Sequence, residues 1–276
     1  MDKRYIQLYS VKDEVAKDFV GTLKRLAEIG YTGLEFFGGV YGGLKAAELK
    51  KICADLGLEP LSSHIMSDMV PKQVEYAAEL GLKYMIDPMK GMETEADALT
   101  FTKQLNEMGK LCKDHGISFG YHNHRHEFLP SKDGTLMETM ILNTDPELVC
   151  YQLDVGWATC SGVDVPAFIA KYAGRIKMIH VKECAVVAGP EKAHDFSKFP
   201  KDENGRPQIP PEVIEQFRKE NEWNVAAGKG VIDWPVVVKA AKDQGAEAFI
   251  VEREFDYLGN DIFKCVEEDC AFLKTL

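Results

Sequence analysis

The chain has 276 residues, 45% of them hydrophobic, with a net charge of −11. That length and apolar content can fill one α/β barrel or two smaller domains. The acidic balance, with no Lys/Arg run, argues against nucleic-acid binding, and no apolar run approaches the roughly 18 residues that cross a bilayer.

The seven cysteines (53, 112, 150, 160, 184, 265 and 270) are scattered and form no C-x-x-C pair, so they read as reduced core thiols. The N-terminal MDKRYIQLYS lacks the apolar stretch of a signal peptide. Together these features predict a cytoplasmic protein that handles a small molecule.

In chain order, strand-like runs occupy 5–9, 33–37, 59–65, 84–87, 117–123, 149–155, 176–181 and 248–252. Amphipathic stretches lie between them. The first, 16–29, sets Phe19, Leu23, Leu26 and Ile29 at helical spacing, and 98–115 does the same with Leu105, Met108, Leu111 and Cys112. Gly30, Gly57, Gly81, Gly116, Gly174 and Gly245 each follow a helical pattern, as left-handed C-terminal caps do. Eight such β/α units predict a (β/α)₈ barrel spanning 1–276 as a single domain. A doubly wound sheet fits less well, because no G-x-G-x-x-G follows the first strand. The connection 183–230 after the seventh strand breaks the rhythm. It carries Pro190, Pro200, Pro207, Pro210 and Pro211, with a helix expected over 211–221. Its place on the C-terminal rim predicts a lid or a contact in a homodimer or homotetramer.

Chemistry in such a barrel sits at the C-terminal strand ends. Those ends here carry Glu35, His64, the segment His122-Asn123-His124-Arg125-His126-Glu127, Asp154 with Trp157, His180 with Lys182, and Glu252-Arg253-Glu254. A lone Asp after a strand is an ordinary helix cap, but so many converging ionisable groups need a compensating cation or substrate. Glu127, Asp154, His180 and Glu252 form an imidazole-and-carboxylate set suited to Mn²⁺, Mg²⁺, Co²⁺ or Zn²⁺. Gly228-Lys229-Gly230 is weak as a phosphate loop and reads better as a turn before Asp233, which would cap a helix.

Five segments carry a resemblance: Tyr-His-Asn-His-x-x-Glu-Phe (121–128), Leu-Asp-Val-Gly-Trp (153–157), Ile-His-Val-Lys-Glu (179–183), Gly-Lys-Gly-Val-Ile-Asp-Trp (228–234) and Ile-Val-Glu-Arg-Glu (250–254). In this order they resemble the sugar isomerase/epimerase superfamily with a xylose-isomerase-like barrel. Its relatives include ketose 3-epimerases, inosose isomerases and dehydratases, and endonuclease IV. The resemblance implies one divalent metal, Mn²⁺ foremost, in a Glu-Asp-His-Glu site. Asp154, His180 and Glu252 match that pattern. The first glutamate does not sit at its usual strand end, where this chain has His122; either Glu127 folds back or His122 or His124 replaces it.

The implied chemistry is proton abstraction beside the carbonyl of a keto-sugar or inosose, with Glu127 and Glu252 as proton carriers. His64 and Lys182 are further catalytic candidates, and Lys182 would face an enolate oxygen. His122, His124, Trp157 and Glu35 are candidate substrate contacts; on a continued strand, His122 and His124 would share one face. An isomerase or epimerase is the first reading, and a dehydratase or lyase acting on a keto-sugar or 3-keto-glycoside is the alternative. A repair endonuclease would need a basic groove, and a non-catalytic module would have no need of the full Asp/His/Glu set.

Overall fold

The computed structural model describes residues 1–193, 199–200, 208–254 and 261–276. Eight parallel strands close into a barrel: β1 (Tyr5–Gln7), β2 (Gly33–Phe37), β3 (Glu59–His64), β4 (Tyr84–Asp87), β5 (Ser118–His122), β6 (Val149–Asp154), β7 (Ile176–Val181) and β8 (Ala248–Val251). Each pairs with its neighbours in chain order, and β8 returns to β1. The fold is the (β/α)₈ barrel that the alternating pattern predicts. β1 stops at Gln7 because Leu8–Val11 turn into a 3₁₀ helix. β5 stops at His122, so His124 lies beyond the strand and the expected alternation of the two rings does not apply.

Strand alternation sends every second side chain into the barrel. The lower interior is an apolar plug of Tyr5, Leu61, Tyr84, Ile86, Met178, Ala248 and Ile250. Two residues further along each strand the inward positions become polar: Gln7 follows Tyr5, Gln152 and Asp154 follow Cys150, His180 and Lys182 follow Met178, and Glu252 follows Ile250. Between barrel and helices lies a larger apolar core that includes Ile6, Leu34, Phe36, Phe119, Leu153 and Ile179. Each such side chain, fully buried, contributes about 1.5–3 kcal/mol.

The helices follow their sequence signals. Phe19–Ile29 starts at Asp18, whose carboxylate accepts the Gly21 N–H, and buries Phe19, Leu23, Leu26 and Ile29. It ends at Gly30 with φ 111°, a conformation costly for any residue with a Cβ. Glu95–Asp114 starts earlier than the apolar spacing predicts, because Thr94 and Asp97 form a reciprocal capping box.

The excursion after β7 contains the expected helix, which runs Pro211–Trp223. Residues 194–198 and 201–207 of the proposed lid lie outside the described residues. Its described ends are tied down by Glu183. One carboxylate oxygen accepts from Gly228 N (2.8 Å) and Trp234 Nε1 (2.7 Å), and the other from Cys184 N (3.1 Å) and Ile232 N (3.4 Å). A Cβ at Gly230 would stand 2.1 Å from the Cys184 carbonyl oxygen, so only glycine fits this close return. The Gly-Lys-Gly segment is thus a turn wrapped on Glu183, and Asp233 caps the helix Trp234–Asp243. Among the described residues no helix is long and apolar enough to cross a membrane.

Candidate active site

Four side chains from separate strand ends meet at the mouth of the barrel. His122 ends β5, Asp154 ends β6, His180 lies in β7, and Glu252 follows β8. Each offers one ligand atom, and these atoms all lie within 4.8 Å of one another. All four residues are buried. Asp154 does two jobs: Oδ1 accepts the Trp157 N–H (2.8 Å) and caps the short helix Val155–Cys160, while Oδ2 is buried with no hydrogen-bond partner among the described residues. That orphaned oxygen stands 3.9 Å from His122 Nε2 and 4.0 Å from His180 Nδ1. Ligands of a single first-row ion, held at about 2.1 Å, stand roughly 3–4 Å apart, so the spacing fits.

Beneath them lies Glu35, fully buried on β2. Oε1 accepts from His180 Nε2 (2.6 Å) and Gln7 Nε2 (2.9 Å) and lies 3.2 Å from His64 Nε2. Oε2 accepts from Ser62 Oγ (2.7 Å) and Gln152 Nε2 (2.7 Å). Burial alone would raise its pKa, but the imidazoles of His64 and His180 and the hydrogen bonds from His180 and Ser62 hold it at about 2. Glu35 was expected to contact substrate; in the structure both its oxygens are engaged inside the barrel, one of them with His180 Nε2. His64 is likewise engaged below the mouth, with Nε2 2.7 Å from Gln152 Oε1.

Burial pushes the Asp154 carboxyl up to about 7, although Lys182 and His180 oppose the rise. Burial would lower His180, but Glu35 and Glu252 on its two sides raise it to about 10. Glu252 is also disfavoured as an anion by burial, yet Lys182 and His180 bring it well below the ordinary carboxylate range. Lys182 is fully buried with Nζ 2.6 Å from Glu254, 3.1 Å from Glu252 and 4.0 Å from Asp154, and 5.0 Å from the centroid of the Trp157 ring. Those carboxylates outweigh burial and raise it above the usual lysine range. Asp154, Glu252 and Glu254 thus face one ammonium and one imidazole over an ionised Glu35, an excess of negative charge that a divalent cation would balance.

Glu127, expected as both ligand and base, is not in the cluster. The chain turns over 123–125 into a 3₁₀ helix, His126–Phe128, which holds Glu127 against Tyr121 rather than among the quartet. There it accepts from the Tyr121 hydroxyl and from His124 N (2.8 Å), and lies 3.1 Å from His126 Nε2. The expected alternative, His122, fills the fourth position. His124 stacks on Trp157 with centroids 6.1 Å apart, and both His124 Nδ1 and Trp157 Nε1 are buried without partners among the described residues. Burial lowers the His124 pKa to about 4, which keeps the ring neutral. Arg253 turns outward and pairs with Asp269 at 3.1 Å.

Two supporting amides escaped the sequence reading. Asn123 clamps the Asp154 backbone by accepting from its N–H (2.9 Å) and donating to its carbonyl (3.2 Å). Gln152 joins Glu35, His64 and His122. Its position two residues before Asp154 on the same strand was the available signal.

Residues 23–276 match the sequence profile of the xylose isomerase-like TIM barrel. The chain belongs to that family. An inosose dehydratase from Mesomycoplasma hyopneumoniae strain J is 28% identical over 188 residues, 60% of this chain and 62% of that protein. The chain spans less than two thirds of the length of the curated relatives it matches. A solved sugar phosphate isomerase/epimerase from Parabacteroides distasonis is 28% identical and superposes with a TM-score of 0.73 over 99% of this chain and 94% of that one. The IolI protein, solved with a bound zinc atom, shares the fold at 12% identity and a TM-score of 0.72 over 99% of this chain and 97% of that one.

Within this xylose isomerase-like barrel, His122, Asp154, His180 and Glu252 fit a divalent cation on donor type, spacing and the unpartnered Asp154 oxygen. The set has no thiolate, which separates it from structural zinc sites.

Proposed function

We propose that this protein is a divalent-metal-dependent lyase that removes water from a keto-cyclitol or related keto-sugar, after taking the proton beside the carbonyl. The observation that carries the reading is the buried quartet His122, Asp154, His180 and Glu252 with one oxygen left unpartnered. The inosose dehydratase relatives support elimination as the outcome. A bound cation would supply Lewis acidity, polarising the carbonyl and acidifying the neighbouring C–H.

The remaining steps belong to the chain. His124, whose Nδ1 is unpartnered beside Trp157, accepts the proton, because Glu252 belongs to the ligand quartet and is not free to serve as the base. Lys182, held charged between Glu252 and Glu254, donates a proton to the departing β-hydroxyl. The C–H electron pair becomes the new C=C bond, the C–O bond breaks, and the products are an enone and water. Trp157 walls one side of the substrate. The described start of the excursion is docked on the segments that follow β5 and β6, a position from which it would act as the lid. Arg125 donates to Gly189 O (2.7 Å) and pairs with Glu191 (2.7 Å), while Ala188 N and Gly189 N bond Cys160 O.

An isomerase or epimerase is the second reading, favoured by the Parabacteroides structure that matches over nearly the whole chain. The two part in heavy water. Metal-loaded protein is given a panel of inososes and keto-sugars: elimination yields an ultraviolet-absorbing enone, whereas epimerisation or isomerisation yields monodeuterated sugar with no loss of water. If no member of the panel gives either signal, the assignment to carbonyl-adjacent proton chemistry fails.

A further inference from the structure

We propose that Gln152 and Glu35 form a relay that fixes which nitrogen of His122 and of His180 faces the cation, and that the resulting two-imidazole, two-carboxylate set makes this centre prefer cobalt-, zinc- or iron(II)-class ions over manganese and magnesium. The inference deepens the functional reading above and rests on it.

The relay follows from donor and acceptor roles. Glu35 is a buried carboxylate that receives hydrogen bonds from its surroundings, so it is an acceptor only. The Gln152 atom 2.7 Å from Glu35 Oε2 must therefore be the amide nitrogen, which fixes the orientation of that amide. Its oxygen then faces His64 Nε2 at 2.7 Å and His122 Nδ1 at 3.0 Å, and both ring nitrogens must donate to it. A neutral His122 has one N–H, and Nδ1 carries it. Nε2 is left with the lone pair, and Nε2 is the atom 3.9 Å from the orphaned Asp154 oxygen. The same logic holds on the other side: His180 donates Nε2–H to Glu35 Oε1 at 2.6 Å, which leaves Nδ1 toward Asp154 and Glu252. Glu35, Gln152, His122 and His180 are all buried, so water cannot readily substitute for any link.

The second imidazole decides the ion class. Carboxylate-rich sites suit magnesium and manganese, whereas each added imidazole favours ions later in the divalent series. Manganese, the foremost expectation from sequence, presumed a glutamate where this chain has His122. Gln152 and Glu35 are positioning residues here: they touch the ligands and not the substrate. Outer partners of this kind typically contribute 10–100-fold to metal affinity.

The test is a double-mutant cycle read by calorimetry on metal-free full-length protein, titrated with Co²⁺ and with Mn²⁺. Wild type should bind Co²⁺ at least about tenfold more tightly than Mn²⁺. His122→Glu should shrink that ratio about tenfold. Gln152→Met, close in shape but unable to accept from His122, should weaken Co²⁺ binding about 10–100-fold in the wild-type background and less than about threefold beside His122→Glu. Equal losses in both backgrounds would make Gln152 merely structural and overturn the relay, and Mn²⁺ binding as tight as Co²⁺ would overturn the selectivity. Nitrogen-15 NMR of histidine-labelled, metal-free wild type reads the tautomer even if Gln152→Met does not fold. The His122 signals, identified by their loss in His122→Glu, should show a protonated Nδ1 and a bare Nε2; the opposite tautomer overturns the relay. A wild type that binds neither ion sinks the functional reading, whereas one that binds Co²⁺ but carries the opposite tautomer sinks only this inference.

Discussion

The barrel interior is two materials stacked on one set of strands. The lower half, from Tyr5 through Ile250, is an apolar plug; the upper half, two residues on, is a lattice of carboxylates, imidazoles and amides. The same strands carry both, so one register determines both stability and chemistry. The lower half gains from burial, which is non-directional. The upper half loses by it unless every polar group has a partner, and among the described residues Asp154 Oδ2 lacks one, as do His124 Nδ1 and Trp157 Nε1 at the mouth. The contrast teaches where substitutions should be silent for folding and lethal for function, and where the reverse holds.

Asp154→Asn should break the contrast most sharply. Loss of the orphaned oxygen should weaken metal binding by more than the 10–100-fold typical of a supporting partner, and turnover should fall to background. The melting temperature of the metal-free protein should stay level or rise, because a poorly compensated buried charge is removed. Lys182→Met should reduce turnover by about 10²–10⁴-fold while leaving the Co²⁺ dissociation constant within a few-fold, as expected for a proton donor rather than a ligand. The plug should behave oppositely. Ile250→Ala should cost about 2–5 kcal/mol in denaturant unfolding and leave metal affinity near wild type in the folded fraction.

The smallest effect sits at the bottom rim, where Glu59 is clamped by Lys3 (2.7 Å), Lys83 (2.8 Å) and the Tyr5 hydroxyl (2.8 Å). Burial works against its charge, but these partners lower its pKa from 4.5 to about 2. A depressed folded-state value means the contribution is fully present above about 4.5 and is lost as pH falls through that value toward 2. Glu59→Gln should therefore lower the melting temperature slightly at pH 6, and the gap should close on acidification. Solvent screening keeps this to about 1 kcal/mol or less.

Much of this architecture could be read from residues alone. The strands announce themselves by short apolar runs after helix-closing glycines, and Asp154, His180 and Glu252 stand out as charged residues at strand ends. Glu127 misled because its fate is decided by the turn over 123–125, whose direction no periodicity encodes. Glu35 was visible as a buried acid, but Gln7, Ser62, Gln152 and His180, which occupy its oxygens, come from four other strands. Asn123 and Gln152 carry no charge and so have no role legible in the sequence, although pairing a neutral amide with an ionised neighbour is how a buried network stays satisfied. Nonlocal closure, rather than local propensity, turns a list of strand-end residues into a site.

Glu183 has a consequence for how this protein can diversify. By holding Cys184 at the start of the excursion and Gly228, Ile232 and Trp234 at its end, a single carboxylate makes the two ends of that segment neighbours whatever lies between them. Lengthening a loop whose ends are already joined adds little entropy, about 0.6 kcal/mol per doubling. The middle of the segment can therefore be exchanged for one of different length without touching the barrel that holds the quartet.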